Sequence, residues 1–161
     1  MSSLGLAAVR LSLSVVFVLH GAHTLFGIWG GAGVGPGGLA ETAARLTRAG
    51  IEPGFLMALL AGIIQFVGGL LVGFGFLTRH AAAALLGYVL LVAWTGQLMW
   101  GFYLNWVNDP TRGQGIEYAV VMAGGLVCLL LAGGGDFSVD GVRATRAEAR
   151  AAGRARLRSR T

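Results

Sequence analysis

Six polar side chains sit inside or at the edge of long apolar runs: Arg10, His20, His23, Gln65, Gln97 and Glu117. Hydrocarbon penalises an unpaired polar group, so such residues face protein, water or a bound molecule when their run crosses a membrane. At 100° per residue, Arg10, Ser14, Phe17, His20, Gly21 and Thr24 fall within a sector of about 120° on a helix. The opposite face is Leu, Val and Ala, so the polar face should point into a helix bundle. His23 stands three residues after His20, a spacing compatible with a shared metal, but no Cys or nearby carboxylate completes a ligand set and no metal is expected. A buried imidazole at His20 suits hydrogen bonding to a carbonyl or a carboxylate. The Gln65 amide needs partners in a dry interior, whereas Gln97, between Trp94 and Trp100, lies within reach of interfacial water. Glu117 opens an apolar run, where free N–H groups and the helix dipole stabilise a carboxylate. Alternatively it pairs with His20, His23 or Arg112 and relays protons. Cys128 is the single cysteine, with no partner for a disulfide and no C-x-x-C, and reads as a small apolar filler.

The elements that must position these groups are four apolar runs, each near the 20 or so residues needed to cross a bilayer. They cover about residues 4–26, 54–77, 81–100 and 115–132. The first lacks a basic segment ahead of it and is long enough to span, so it does not read as a cleaved signal. A glycine-rich stretch around Pro36 follows, then residues 39–49 place Leu39, Ala43 and Leu46 on one face and Glu41, Arg45 and Arg48 outside it. This is a short amphipathic helix, closed by Gly50 and Pro53, lying on the bilayer surface or over the bundle mouth. Thr78-Arg79-His80 reads as the tight turn between the second and third spans. In the second span Ala58, Gly62, Gln65, Gly69 and Gly73 form a small-residue stripe suited to close helix packing. Trp94, Trp100, Tyr103, Trp106 and Tyr118 cluster as an interfacial aromatic belt. The expected fold is an all-α integral membrane protein: four transmembrane helices in an up-down bundle (1–140), with the amphipathic helix in the first outer loop. A basic tail (141–161) follows.

The net charge of +5 is concentrated in that tail, where seven Arg against one Glu leave +6 and the rest of the chain near neutral. All 12 basic residues are Arg, which reads as codon bias. The tail and Arg79 share a side with the N-terminus, so positive-inside counting puts both termini in the cytoplasm of a bacterial-type inner membrane. Arg143, Arg146, Arg150, Arg154 and Arg158 recur every three or four residues after Asp140, a candidate helix cap. Such a stripe suits anionic lipid headgroups, at about 1 kcal/mol per basic residue. Without aromatics the tail does not read as a nucleic-acid binder.

The chain resembles the DoxX family of small four-helix membrane proteins. The likeness runs from Val9 to about Asp140 through Arg10-Leu11, His20-Gly21, Leu25-Phe26-Gly27 and Gly50-Ile51-Glu52-Pro53. It continues through Gln65 to Leu71, Gly73 to Arg79, Gly115-Ile116-Glu117-Tyr118 and Asp136 to Asp140. Two departures stand out: the family usually has Lys where Thr24 stands and Glu where Gln65 stands. If that pair normally moves a proton, the step is weakened here, with His23 partly replacing the lost cation. The resemblance implies a membrane component of redox systems, a subunit or partner of quinone-linked oxidoreductases or of thiol-redox proteins. The expectation is an accessory subunit, not catalytic alone, with no intrinsic cofactor and with a quinone or lipid near His20, Gln65 and Glu117. Its partners would be the bilayer and other membrane or redox subunits, or further copies of itself. A structural assembly factor is the alternative, as is a small transporter along the Arg10–His20 face, although no internal repeat or broken helix supports transport.

Overall fold

The computed structural model describes residues 3–28 and 36–158, with side chains described as far as 154. Glycines 30, 31, 33 and 35 of the glycine-rich stretch and the side chain of Arg158 lie outside the described residues. The elements are α1 (Ser3–Phe26), α2 (Leu39–Arg48), α3 (Gly54–Phe74), α4 (Thr78–Val92), α5 (Glu117–Ala132) and α6 (Val139–Arg158). A π-helical turn (Ala93–Gln97) and a 3₁₀ turn (Leu98–Trp100) extend α4. No strand occurs among the described residues.

Three helices are long and apolar enough to cross a membrane: α1, α3, and α4 with its extension, 23 residues in all. The fourth apolar helix, α5, has 16 residues. At 1.5 Å per residue it is about 24 Å long, short of a hydrocarbon core of about 30 Å. It starts at Glu117 and not at Gly115 because Ile116 and Glu117 donate their N–H groups to Gly101 O (3.1 Å) and Phe102 O (2.8 Å). Those bonds pair the chain with the preceding loop.

The four apolar helices form a ring in which α1 touches α3 and α5, and α4 touches the same two. Leu85, Leu126, Leu129 and Val72 fill its centre, fully buried. Its outer surface is equally apolar: Leu4, Val15, Leu91, Val121 and Leu131 are exposed, Leu131 at 72%. Water would oppose such a surface and lipid does not. The chain is a multi-pass helical membrane protein embedded in the bilayer.

Helix α1 packs closely on α3. A Cβ at Gly21 would lie 2.4 Å from the backbone nitrogen of Phe66, and one at Gly69 would lie 2.9 Å from the nitrogen of Val18. Only small residues allow such an approach, and dispersion and polar contacts replace the hydrophobic effect as its driving force. Helix α2 rests on α3 and carries Glu41–Arg45 and Glu41–Arg48 contacts at 3.9 and 3.3 Å on its exposed side.

The turn between α3 and α4 is Gly75–Leu77, and Thr78-Arg79-His80 is instead the first turn of α4. Gly75 closes α3 in the left-handed region (φ 68), with Phe76 N–H bonded to Leu71 O at 2.9 Å. Asp140, expected to cap the tail helix, caps α4. Its carboxylate accepts from the N–H groups of Leu77 (3.1 Å) and Thr78 (2.8 Å) and from the Thr78 hydroxyl (2.8 Å). Ser138 takes the expected role on α6, its hydroxyl accepting from Gly141 N–H at 2.9 Å. Ser3 bonds Asp136, so the N-terminus and the start of the tail sit at one end of the bundle.

Candidate functional site

The polar residues divide between the two ends of the bundle. Arg10 and His20 are ten residues apart on one helix, about 15 Å along its axis, and the structure gives them different surroundings. Arg10 is 4% exposed. Its guanidinium donates to Gly134 O (2.7 Å), Phe137 O (3.0 Å) and Gly73 O (3.2 Å), leaving Nε without a partner. Asp140 supplies a nearby negative charge. This arrangement ties α1 to the ends of α3 and α5 and to the approach to α6.

At the other end, α1, α3, α4 and α5 surround a cavity of about 200 Å³. Its walls are apolar, with Phe17 and Val16 from α1, Val89 and Val92 from α4, and Met122 from α5. Five polar residues reach it: His20, Gln65, Tyr88, Gln97 and Tyr118. Gln65 donates from Nε2 to Ala61 O one turn back (3.1 Å), and its amide oxygen has no partner among the described residues. Gln97 Oε1 is buried and makes no hydrogen bond. The π-helical turn accounts for its placement. Nine residues of α-helix would set Gln97 opposite Tyr88, whereas the wider turn stacks it over Val92, and such turns recur at functional sites.

A second cavity, of about 310 Å³, lies beside the first under α2. His20, Gln65 and Tyr88 are common to both, and His23, Thr24, Thr42, Arg45 and Leu46 complete the second. Thr24 and Gln65, which stand where the resemblance implies Lys and Glu, therefore meet in one cavity. Glu117 lines neither. Its carboxylate accepts from Leu104 N–H at 3.2 Å and holds the loop that precedes α5, not its own helix end.

That loop is rigidly built. Asn105 donates to Asp109 O and Arg112 O (both 2.8 Å) and accepts from Asp109 N–H (3.0 Å). Hydrogen bonds from the Thr111 hydroxyl and N–H hold the Asp109 carboxyl below its ordinary range. Trp106 and Val107 project from this frame, exposed at 73% and 83%. In the tail, Arg143 lies over the Phe76 ring at 5.0 Å, and Arg146, Arg150 and Arg154 are exposed along α6.

Of the six polar residues read from sequence, the structure brings His20, Gln65 and Gln97 together at the first cavity, with His23 adjoining. Arg10 and Glu117 sit elsewhere. No sequence pattern marks Tyr88, Thr42 or Asn105. Tyr88 is one tyrosine in a run of Ala, Leu and Val, and a bulky polar ring inside a span was the available signal. Tyr118, read as part of an aromatic belt, is partly exposed and also borders the cavity. No group of three or more metal-ligating residues occurs among the described residues.

No solved structure matches the chain. It is 28% identical over 140 residues to "Inner membrane protein YqjF" of Escherichia coli (strain K12), covering 87% of this chain and 92% of that relative. The DoxX family model matches residues 5–98, which carry α1 to α4 and four of the five polar residues at the first cavity. The chain belongs to the DoxX family.

Proposed function

We propose that the protein is a small integral subunit or partner of a membrane redox complex, and that its first cavity holds the ring of a quinone-class molecule. One observation carries this reading: a ring-sized apolar space bordered by hydrogen-bonding groups whose capacity the fold leaves unused. An apolar cavity of about 150 Å³ admits a benzene ring, so 200 Å³ suits a single substituted ring. The residues fit such a ring. Phe17, Val89, Val92 and Met122 supply apolar faces, while His20, Gln65 and Tyr88 carry groups able to donate to a ring oxygen. Gln97 Oε1 accepts only, and so favours a ring hydroxyl over a ring carbonyl. A bound quinone supplies two-electron, two-proton redox chemistry. Electrons come from other subunits, because the chain has neither a cysteine pair nor a nucleotide-binding motif in its sequence.

The same reading places the protein in a bacterial-type inner membrane, as its Escherichia coli relative is an inner membrane protein, with both termini cytoplasmic, supported by the Arg-rich tail. The Arg143–Arg146–Arg150–Arg154 row then faces anionic headgroups.

The test combines a mild-detergent pull-down with titration of a short-chain quinol into the purified protein, read by Trp fluorescence quenching. Stoichiometric redox subunits and saturable quenching are expected. His20→Phe and Gln97→Leu should each weaken binding about tenfold, or 1.4 kcal/mol. A pull-down holding only copies of this chain and bulk phospholipid, together with non-saturable quenching, overturns the reading.

A further inference from the structure

The second cavity contains two buried polar atoms with no hydrogen-bond partner, His23 Nε2 and Thr42 Oγ1. Neither is there through looseness of the fold. His23 is fixed from several directions: its carbonyl accepts from Gly27 N–H (3.0 Å) and Gly38 N–H (2.8 Å), and its Nδ1 lies 3.2 Å from Ile28 O. A Cβ at Gly37 would sit 2.5 Å from the imidazole, so the backbone there packs directly on the ring. A carbonyl oxygen can only accept, which assigns the Nδ1 position a proton. In the neutral ring Nε2 is then a lone-pair acceptor, held still on a side chain that lines the cavity. Thr42, on α2, brings a hydroxyl that can accept or donate. Arg45, one turn later, brings a guanidinium whose own contacts are long: 3.4 Å to Pro36 O and 3.9 Å to Glu41. Its remaining N–H groups have no further partner among the described residues and suit an anion.

An acceptor, a hydroxyl and a cation at one rim specify a complementary ligand, an anionic oxygen group with a hydroxyl close beside it. We propose that the second cavity binds a glycerol-phosphate group. The phosphate takes the Arg45 donors, and a glycerol hydroxyl donates to His23 Nε2 while bonding the Thr42 hydroxyl. Glu41 Oε1 is 3.3 Å from Arg48 and 3.9 Å from Arg45, so the phosphate takes the place of the longer contact. The position suits a lipid headgroup, because α2 lies across the ends of the spanning helices, where headgroups lie. Free glycerol phosphate offers the same chemistry.

The test uses the full-length protein in phosphatidylcholine nanodiscs doped with phosphatidylglycerol or with phosphatidylmethanol, which has the same charge and no headgroup hydroxyl. Native mass spectrometry after release from the discs counts retained lipid, and the ¹⁵N resonance of His23 Nε2 reports its hydrogen bond. Phosphatidylglycerol should be retained at least tenfold better than phosphatidylmethanol and should shift that resonance. Thr42→Val should abolish the preference and Thr42→Ser should keep it; Thr42→Val folds, since the hydroxyl it removes has no partner. Arg45→Gln should lower retention of both anionic lipids. Saturable binding of soluble glycerol phosphate, with no lipid retained, supports the site and assigns it to a free phosphate. Equal retention of the two anionic lipids overturns the proposal, because charge alone then suffices. Retention of neither, with a silent resonance and no binding of soluble glycerol phosphate, also overturns it and leaves the cavity to water.

Discussion

The two ends of the bundle use buried polar groups in opposite ways. At the Arg10 end nearly every donor has met its acceptor: three carbonyls receive the guanidinium, and three donors converge on Asp140. At the His20 end, His23 Nε2, Thr42 Oγ1 and Gln97 Oε1 are buried and unbonded, and all three belong to residues that line cavities. An unmet polar atom in low dielectric costs free energy, so a fold keeps several together only where something else completes them. Residue type does not separate the two ends, since each carries a basic side chain from α1. Satisfaction separates them. A network complete but for Arg10 Nε fixes shape, and one with several unmet atoms is available to a ligand.

The largest effect tests the completed network. Arg10→Ala leaves the carbonyls of Gly73, Gly134 and Phe137 without their donors and removes the charge beside Asp140. The expected loss is roughly 3 kcal/mol, or about 6–12 °C in the Tm of the detergent-solubilised protein. Arg10→Lys should recover only part of it, since an ammonium lacks the planar fork that reaches separate carbonyls. A variant as stable as the parent would break the comparison from this side.

Asp140 gives a smaller effect with a pH signature. Burial pushes its carboxyl up, but bonds from the Thr78 N–H, the Thr78 hydroxyl and the Leu77 N–H, with Arg143 nearby, outweigh burial and hold it below the ordinary value of 3.8. A depressed carboxyl stabilises the fold at pH above its unfolded value, and that contribution fades as pH falls through the folded value. Asp140→Asn should therefore cost about 1 kcal/mol, the scale of a lost helix cap. The gap between the two proteins, followed by thermal melts from neutral pH downward, should hold to about pH 4 and close below it. A gap constant to lower pH would mean that the carboxylate charge is not what caps α4.

Sequence patterning made the apolar helices legible because lipid imposes length and hydropathy directly. It also made the small-residue face of α3 legible, and Gly62, Gly69 and Gly73 do meet α1. Helical phase put His20 on one face with Arg10 but is blind to axial distance, and His20 is exposed where Arg10 is buried, so one polar face hid two unrelated surroundings. The cap exchange between Asp140 and Ser138 depends on the tail folding back against the α3–α4 turn, a contact between residues more than sixty apart that no local pattern encodes. Gln97 was readable as a polar residue, whereas its direction was not, because ordinary helical periodicity fails across a π-helical turn. Tyr88 and Thr42 acquire meaning only once α2, α3 and α4 are assembled around them.

The smallest expected effect on stability is the sharpest probe of the incomplete network. Gln97→Leu replaces an amide whose oxygen is buried and unbonded with an apolar side chain of similar size. Removing a structural hydrogen bond destabilises, whereas removing an unmet acceptor relieves a desolvation cost. The Tm of Gln97→Leu should accordingly stay level or rise, by the equivalent of at most about 1 kcal/mol. Its position in the π-helical turn does not alter this, because the turn is held by backbone bonds. Level stability with weakened ring binding marks Gln97 as a group reserved for a ligand. A loss as large as that of Asp140→Asn would instead place Gln97 in a completed network like that of Arg10, and the contrast between the two ends would no longer hold.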